Sequence, residues 1–310
     1  MTPINSSTPT QISDFNILNN QFDTYFLDMY GVLWDGTQFY PNVLNTLTAL
    51  KSANKKVYIL SNMTALNETF VAGKEKNGLL KGIHYDDVIT SGDICFAEIE
   101  NGLFEKITGK TDYRYFVLGG ANPALFKNVN THETTDIHQA DVIYFSTVQT
   151  EALEDNINHL MPNLKIALAR QLPAVCANPD LVFMKNGRSL PTQGAVGLWY
   201  EQHGGQVTYF GKPHKSTFDY ALKVTNSKAE RTLMVGDMME TDIQGGHNAG
   251  IKTMLVTQTG ITGHLLHSGK TLSDIFNKIN LQPHYIKSRF SDDSFAVKLK
   301  LKQMEGNTNV

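Results

Sequence analysis

Thr24-Tyr25-Phe26-Leu27-Asp28-Met29-Tyr30-Gly31-Val32-Leu33-Trp34-Asp35-Gly36 is the stretch on which the fold turns. Its first four residues read as a buried strand, which runs into Asp28 and then into a turn at Gly31. Pro41 suits the first turn of a helix whose apolar face includes Val43, Leu44, Leu47 and Leu50. Lys56-Val57-Tyr58-Ile59-Leu60 comes next as a second short apolar run and stops at Ser61-Asn62. Strand, helix, strand in that order implies a right-handed parallel unit. The pattern returns near the other end of the chain. Thr232-Leu233-Met234-Val235 runs into Gly236-Asp237, a helix from about Thr241 ends near Gly250, and Ile251–Val256 supplies another strand.

Further strands are expected between these halves at Tyr115–Leu118, Asp141–Ser146 and Lys165–Ala169, with helical stretches between them. That middle piece has enough strand and helix for a small core of its own. The expected organisation is a polar, flexible tail over residues 1–14, a core from 15–92 and 208–310, and an inserted α/β domain over 93–207. Lys298-Leu299-Lys300-Leu301-Lys302 reads as a lysine-guarded edge strand or a frayed tail. No internal repeat is apparent.

Composition narrows the field. With 310 residues, 41% hydrophobic and 18% charged, the chain has the make-up of a packed globular protein. Lys plus Arg is 27 against 30 for Asp plus Glu, a formal charge of −3. Such a balance leaves no electrostatic footprint for nucleic acid or an anionic membrane. No apolar stretch approaches the roughly 18 residues of a bilayer span, and the absence of Lys or Arg before Lys51 argues against a basic signal-peptide n-region. Cys95 and Cys176 lack disulfide-framework or metal-ligand spacing and read as buried, reduced packing residues. The expectation is a soluble, cytoplasmic protein.

Open parallel sheets bind ligands at the carboxyl ends of their strands. Three of these ends carry Asp28, Ser61 and Asp237, and the turn Gly211-Lys212-Pro213 adds a cation. A carboxylate there can attack phosphorus and form an aspartyl phosphate. A second carboxylate is then needed to hold a hard divalent cation, because two anions must otherwise approach one another. A hydroxyl and an ammonium can hold the phosphoryl oxygens. Asp28, Asp237 with Asp242, Ser61 and Lys212 fill these roles in that order.

Asp28 through Gly36 resembles the first motif of the haloacid dehalogenase superfamily. Ile59-Leu60-Ser61-Asn62 is similar to its second, Gly211-Lys212-Pro213-His214 to its third, and Val235-Gly236-Asp237 through Thr241-Asp242-Ile243 to its fourth. Asn178-Pro179-Asp180 and the large insert between motifs two and three resemble the class IIA branch, which includes nitrophenyl- and sugar-phosphatase-like enzymes. The resemblance covers about Thr24 to Gly260 and implies a doubly wound, Rossmann-like parallel sheet with an inserted α/β cap. It further implies Asp28 as nucleophile, and Mg2+ held by Asp28, the Tyr30 carbonyl and Asp237. Asp242 would bind the metal through water or orient Lys212. Ser61 and the Asn62 amide would hold phosphate. The implied substrate is a small phosphorylated metabolite such as a sugar phosphate, and a homodimer through the cap is a family-level expectation.

One position departs from the pattern. Most phosphatases of the superfamily carry, two residues after the nucleophile, an aspartate that serves as general acid and base; here that catalytic position is Tyr30. A phenol with a pKa near 10 is a poor base at neutral pH. L-2-haloacid dehalogenases also have Asp-x-Tyr, so metal-independent haloacid-type hydrolysis competes, as does a catalytically weakened protein that binds a phosphorylated ligand. Dehalogenases work without metal, so Asp237 and Asp242 near Lys212 favour phosphoryl transfer. Trp34, His214 and His247 read as packing near the site, His264 and His267 as exposed, and Asn178-Pro179-Asp180 as a turn or a shaper of the pocket.

Overall fold

The computed structural model describes residues 8–291 except 19, 121–131, 147–151 and 186–187. These divide into two compact units. The first takes in residues up to Ser61, then Val71–Ile89, and the chain from Phe218 onward; the second takes in Asn62–Phe70 and Thr90–Thr217. The strands, in chain order, are β1 (Thr10–Gln11), β2 (Thr24–Leu27), β3 (Lys56–Ser61), β4 (Asp87–Thr90), β5 (Arg114–Leu118), β6 (His132–Glu133), β7 (Val142–Phe145), β8 (Pro173–Cys176), β9 (Val182–Lys185), β10 (Arg188–Pro191), β11 (Gln206–Tyr209), β12 (Thr232–Gly236), β13 (Lys252–Val256) and β14 (Tyr285–Lys287).

The first unit is built on a sheet of order β1-β14-β13-β12-β2-β3-β4. From β2 the chain winds outward through β3 to β4, and from β12 it winds the other way through β13 to β14. The sheet is therefore doubly wound, and its switch point lies between β2 and β12. These two strands run parallel, with Leu27 opposite Val235, and β2 pairs in parallel with β3, Leu27 opposite Ile59. Tyr25, Phe26, Leu27, Val57, Ile59, Leu233, Met234 and Val235 are all fully buried. Parallel strands covered on both faces read as unbroken apolar runs rather than alternating ones, which is why these segments are recognisable in the sequence. Each such side chain contributes about 1.5–3 kcal/mol by leaving water. The helix Val43–Ser52 buries Val43, Thr46, Leu47, Ala49 and Leu50, the stripe expected of an amphipathic helix on a sheet. Asp86 ties that layer together: it accepts Lys51 Nζ at 2.5 Å and the Val57 N–H at 2.7 Å.

Part of the stretch expected to be a tail is instead woven into this sheet. Thr10 and Gln11 form β1 and pair in parallel with β14, and Ile12 N–H donates to the Ile286 carbonyl at 2.8 Å. Beyond them Ile12, Phe15 and Leu18 are buried, and the Phe15 ring meets Phe290 edge-on at 5.2 Å. A polar stretch can hold an edge strand through its backbone alone, while three spaced apolar side chains anchor the segment that leads from β1 to β2. Lys298–Lys302 lie outside the described residues.

The second unit has a five-stranded sheet of order β11-β8-β7-β5-β6 and a separate antiparallel hairpin, β9 with β10. Its core gathers Phe116, Leu118, Ile143, Phe145, Leu164, Val196 and Tyr200. Two of the expected strands correspond to β5 and β7. The third does not: Lys165–Ala169 is the last turn of the helix Leu153–Ala169, and the strand is β8, just beyond it. Ile157, Leu160, Leu164 and Ala167 are buried at helical spacing, and Pro162 inside the helix masks that period in the sequence. Cys95 and Cys176 are buried free thiols, and burial pushes Cys176 up to about 12.

Candidate active site

The switch point brings the acidic residues together. Asp28 comes directly after β2 and Asp237 directly after β12, so strand pairing alone sets their backbones side by side; Asp28 N–H donates to the Val235 carbonyl at 2.9 Å. Asp242 comes from a single π-helical turn, Met239–Ile243, and its Oδ2 accepts the Met238 N–H at 3.1 Å. Among the described residues, Asp28, Asp237 and Asp242 each offer a carboxylate oxygen within 4.8 Å of the others. All three residues are buried. Two glycines make room. Gly31 sits at φ +88°, and a Cβ there would collide with the Asp237 carboxylate; a Cβ on Gly236 would fall on Asp242.

Two neighbours that the sequence patterns do not single out hold Asp237, and a third braces the loop beside it. Ile261 N–H donates to its Oδ2 at 2.6 Å and Thr262 N–H to its main-chain carbonyl at 3.2 Å, both from the first turn of the helix Gly260–His267. A carboxylate is favoured there by the helix dipole and the unpaired N–H groups. Thr259, the residue before that helix, donates from Oγ1 to the Gly31 carbonyl at 2.5 Å and so ties the two loops together. A threonine preceding a glycine and an apolar run is a helix-start signal that could have flagged it.

Tyr30 is half-buried, and burial first, then the Asp28 charge, pushes its phenol above the ordinary value. Ser61 ends β3 on the same sheet edge as Asp28 and is buried. In the second unit, Asn62 and Lys212 are brought together. Asn62 Oδ1 accepts the Lys212 N–H at 2.7 Å, while its Nδ2 donates to the Lys212 carbonyl at 2.9 Å and to Asp180 Oδ1 at 2.8 Å. The Asn62 carboxamide thus joins the second and third motifs, and Asp180 of the Asn178-Pro179-Asp180 segment completes the clamp. Asp180 is fixed in turn, by the Asn178 side chain on its N–H and by Thr192 Oγ1 on its carbonyl. Lys212 is only 2% exposed, and the Lys212–Pro213 peptide is cis. His214 stacks on Tyr209 at 5.6 Å, and His247 lies 6.4 Å from the His284 ring. His264 is exposed.

Three carboxylates packed so closely repel one another unless a cation or protons intervene. Hard oxygen donors in this number suit a small divalent cation, so the residues present fit the metal that the motifs imply.

Comparison with known proteins agrees with this geometry. A family model described as haloacid dehalogenase-like hydrolase matches residues 25–127, and one described as HAD-hydrolase-like matches residues 209–292. Phosphoglycolate phosphatase 2 of Arabidopsis thaliana is 26% identical over 300 residues, 90% of this chain and 95% of that protein. The 4-nitrophenylphosphatase of Schizosaccharomyces pombe is 24% identical over 275 residues, 83% and 89% of the two chains. A solved haloacid dehalogenase-like hydrolase from Brucella suis 1330 shares the fold with a TM-score of 0.73, at 20% identity over 92% of this chain and all of that one. A doubly wound α/β core with its acidic residues gathered at the switch point defines the class: a phosphatase-type hydrolase. Both halves of the chain are thus similar to haloacid dehalogenase-like hydrolases, and along nine-tenths of its length it is similar to a phosphatase.

Proposed function

We propose that this phosphatase depends on Mg2+ and hydrolyses a small phosphomonoester through a phosphorylated Asp28. The convergence of Asp28, Asp237 and Asp242 is the observation that carries the reading. Asp28, the Tyr30 carbonyl and Asp237 would hold the ion, with Asp242 reaching it through water. When bound, Mg2+ supplies the positive charge that lets an anionic nucleophile approach an anionic phosphate. An Asp28 carboxylate oxygen attacks phosphorus, and the bond from phosphorus to the leaving oxygen breaks. Water then attacks the same phosphorus, the bond to Asp28 breaks, and inorganic phosphate departs. The Ser61 hydroxyl donates to a phosphoryl oxygen. With the Asn62 carboxamide joined to Lys212 and Asp180, the Asn62 main-chain N–H is the donor we assign to phosphate, and the Lys212 ammonium balances charge in the transition state.

Tyr30 shapes which substrates react well. Its protonated phenol does not accept a proton at neutral pH. Turnover is therefore favoured where the leaving oxygen departs without help. Small size is supported by relatives whose names specify phosphoglycolate and glycerol 3-phosphate. A panel of phosphomonoesters, assayed for phosphate release with Mg2+ and with chelator, tests the proposal. Release should require the metal, and Asp28→Asn should abolish it while leaving the fold intact. Undiminished turnover in excess chelator, or by Asp28→Asn, would rule the mechanism out.

A further inference from the structure

The carbonyl of Tyr30 owes its direction to a loop closed on itself. Gly31 N–H donates to the Trp34 carbonyl at 2.9 Å, and the Leu33 and Trp34 N–H groups both donate to the Met29 carbonyl, at 3.0 and 2.9 Å. The peptide between Tyr30 and Gly31 is planar, so its C=O points opposite to its N–H. Wherever the Trp34 carbonyl sits, the Tyr30 carbonyl aims the other way. The position of Trp34 thus governs an oxygen that the mechanism assigns to the metal.

Trp34 is 4% exposed. Among the described residues its indole N–H meets no acceptor, so the ring is not held by its polar edge. Its faces and edges are engaged instead. Phe39 packs against it at 4.8 Å in an edge-on arrangement. Lys74, in the last turn of the helix Asn67–Glu75, sets its ammonium 3.7 Å from the centre of the Trp34 ring and 5.3 Å from that of Tyr30. A cation over indole is attracted by the ring quadrupole, more so where water is partly excluded. One charge therefore spans both aromatic side chains of the loop.

We propose that Lys74 is a positioning residue, whose ammonium clamps Trp34 and Tyr30 and so fixes the Tyr30 carbonyl for the metal. This rests on the metal reading above. Lys74→Met keeps the aliphatic stem and removes the charge, and Lys74→Arg keeps a cation. Calorimetric titration with Mg2+ should give a dissociation constant about three- to tenfold higher for Lys74→Met and within twofold of the parent for Lys74→Arg. In a Trp199→Phe background Trp34 is the remaining tryptophan, and its emission should shift in Lys74→Met without any metal present. Turnover lost by Lys74→Met should return as Mg2+ is raised. Lys74→Gln gives the same comparison if the Met variant does not fold. Mg2+ affinity in the charge-free variant within twofold of the parent would overturn the clamp alone. A parent protein that binds no Mg2+ would overturn the metal reading and the clamp with it.

Discussion

Removing one carboxylate from the acidic cluster should stabilise the metal-free protein and yet abolish its response to metal. Two unit charges 4.8 Å apart repel by about 3.5 kcal/mol at an effective dielectric constant near 20. Asp237 takes part in two pairs at that separation or closer, so Asp237→Asn removes about 7 kcal/mol or more of bare repulsion. Counter-ions and shared protons relieve most of that in the metal-free state, and the Ile261 N–H then donates to a neutral oxygen, a loss of about 1 kcal/mol. A net gain of about 1–2 kcal/mol remains, worth about 3–6 °C in melting temperature. The parent, at Mg2+ a hundredfold above its dissociation constant, should gain about 2.7 kcal/mol by linkage, and the variant almost nothing. The two melting curves should therefore exchange order: variant above parent in chelator, parent above variant in Mg2+. Thermal melts of both proteins over a Mg2+ series read this directly. If Asp237→Asn melts below the parent in chelator and is raised by Mg2+ just as far, the three carboxylates do not act as one charged site.

Tyr30→Asp should raise the rate on alkyl phosphates about 10- to 100-fold and that on nitrophenyl phosphate about threefold or less, because nitrophenolate leaves without a proton. A ratio of the two rates that is the same in parent and variant would show that residue 30 plays no part in proton transfer. A pH effect is expected away from the site, at His284, whose imidazole is pushed down to about 4 by burial, with Lys252 and His247 adding to it. Its Nδ1 accepts the Thr253 N–H at 3.2 Å. Because the unfolded imidazole titrates near 6.5, this contribution is complete above that pH and is lost as pH falls toward 4. Urea unfolding should show a loss of about 2 kcal/mol between pH 7.5 and 5, and a slope unchanged in His284→Gln would assign the effect elsewhere.

How legible each feature is in the sequence depends on how it is encoded. β2, β3 and β12 are continuous apolar runs ending in reactive side chains, and both signals are local. Asp28, Asp237 and Asp242 are therefore legible, although only the pairing of β2 with β12 explains why they meet. The end of the helix Leu153–Ala169 is open to misreading because Lys165–Ala169, seen alone, has a strand's length and composition. β1 leaves no such trace, because an edge strand held by backbone hydrogen bonds needs no apolar pattern. The junction of Asn62 with Asp180 and Lys212 joins positions 118 and 150 residues apart, and no periodicity records such a contact. Lys74 is hidden for a related reason: its partners lie some forty positions away in sequence.

The insertion of β12 beside β2 also sets the order in which the protein can be made. Asp23 and Arg231, 208 positions apart, form an ion pair where the two strands begin. A ribosome adding about 5–20 residues per second needs on the order of 10–40 s to supply the missing strand. Until then one edge of β2, with Tyr25, Phe26 and Leu27, stands bare, as open to chance pairing as any unguarded sheet edge. Over the same interval Asp28 exists without Asp237 or Asp242. The emerging chain therefore cannot gather its three carboxylates early, and their cluster comes into being only when the late strand has closed that edge.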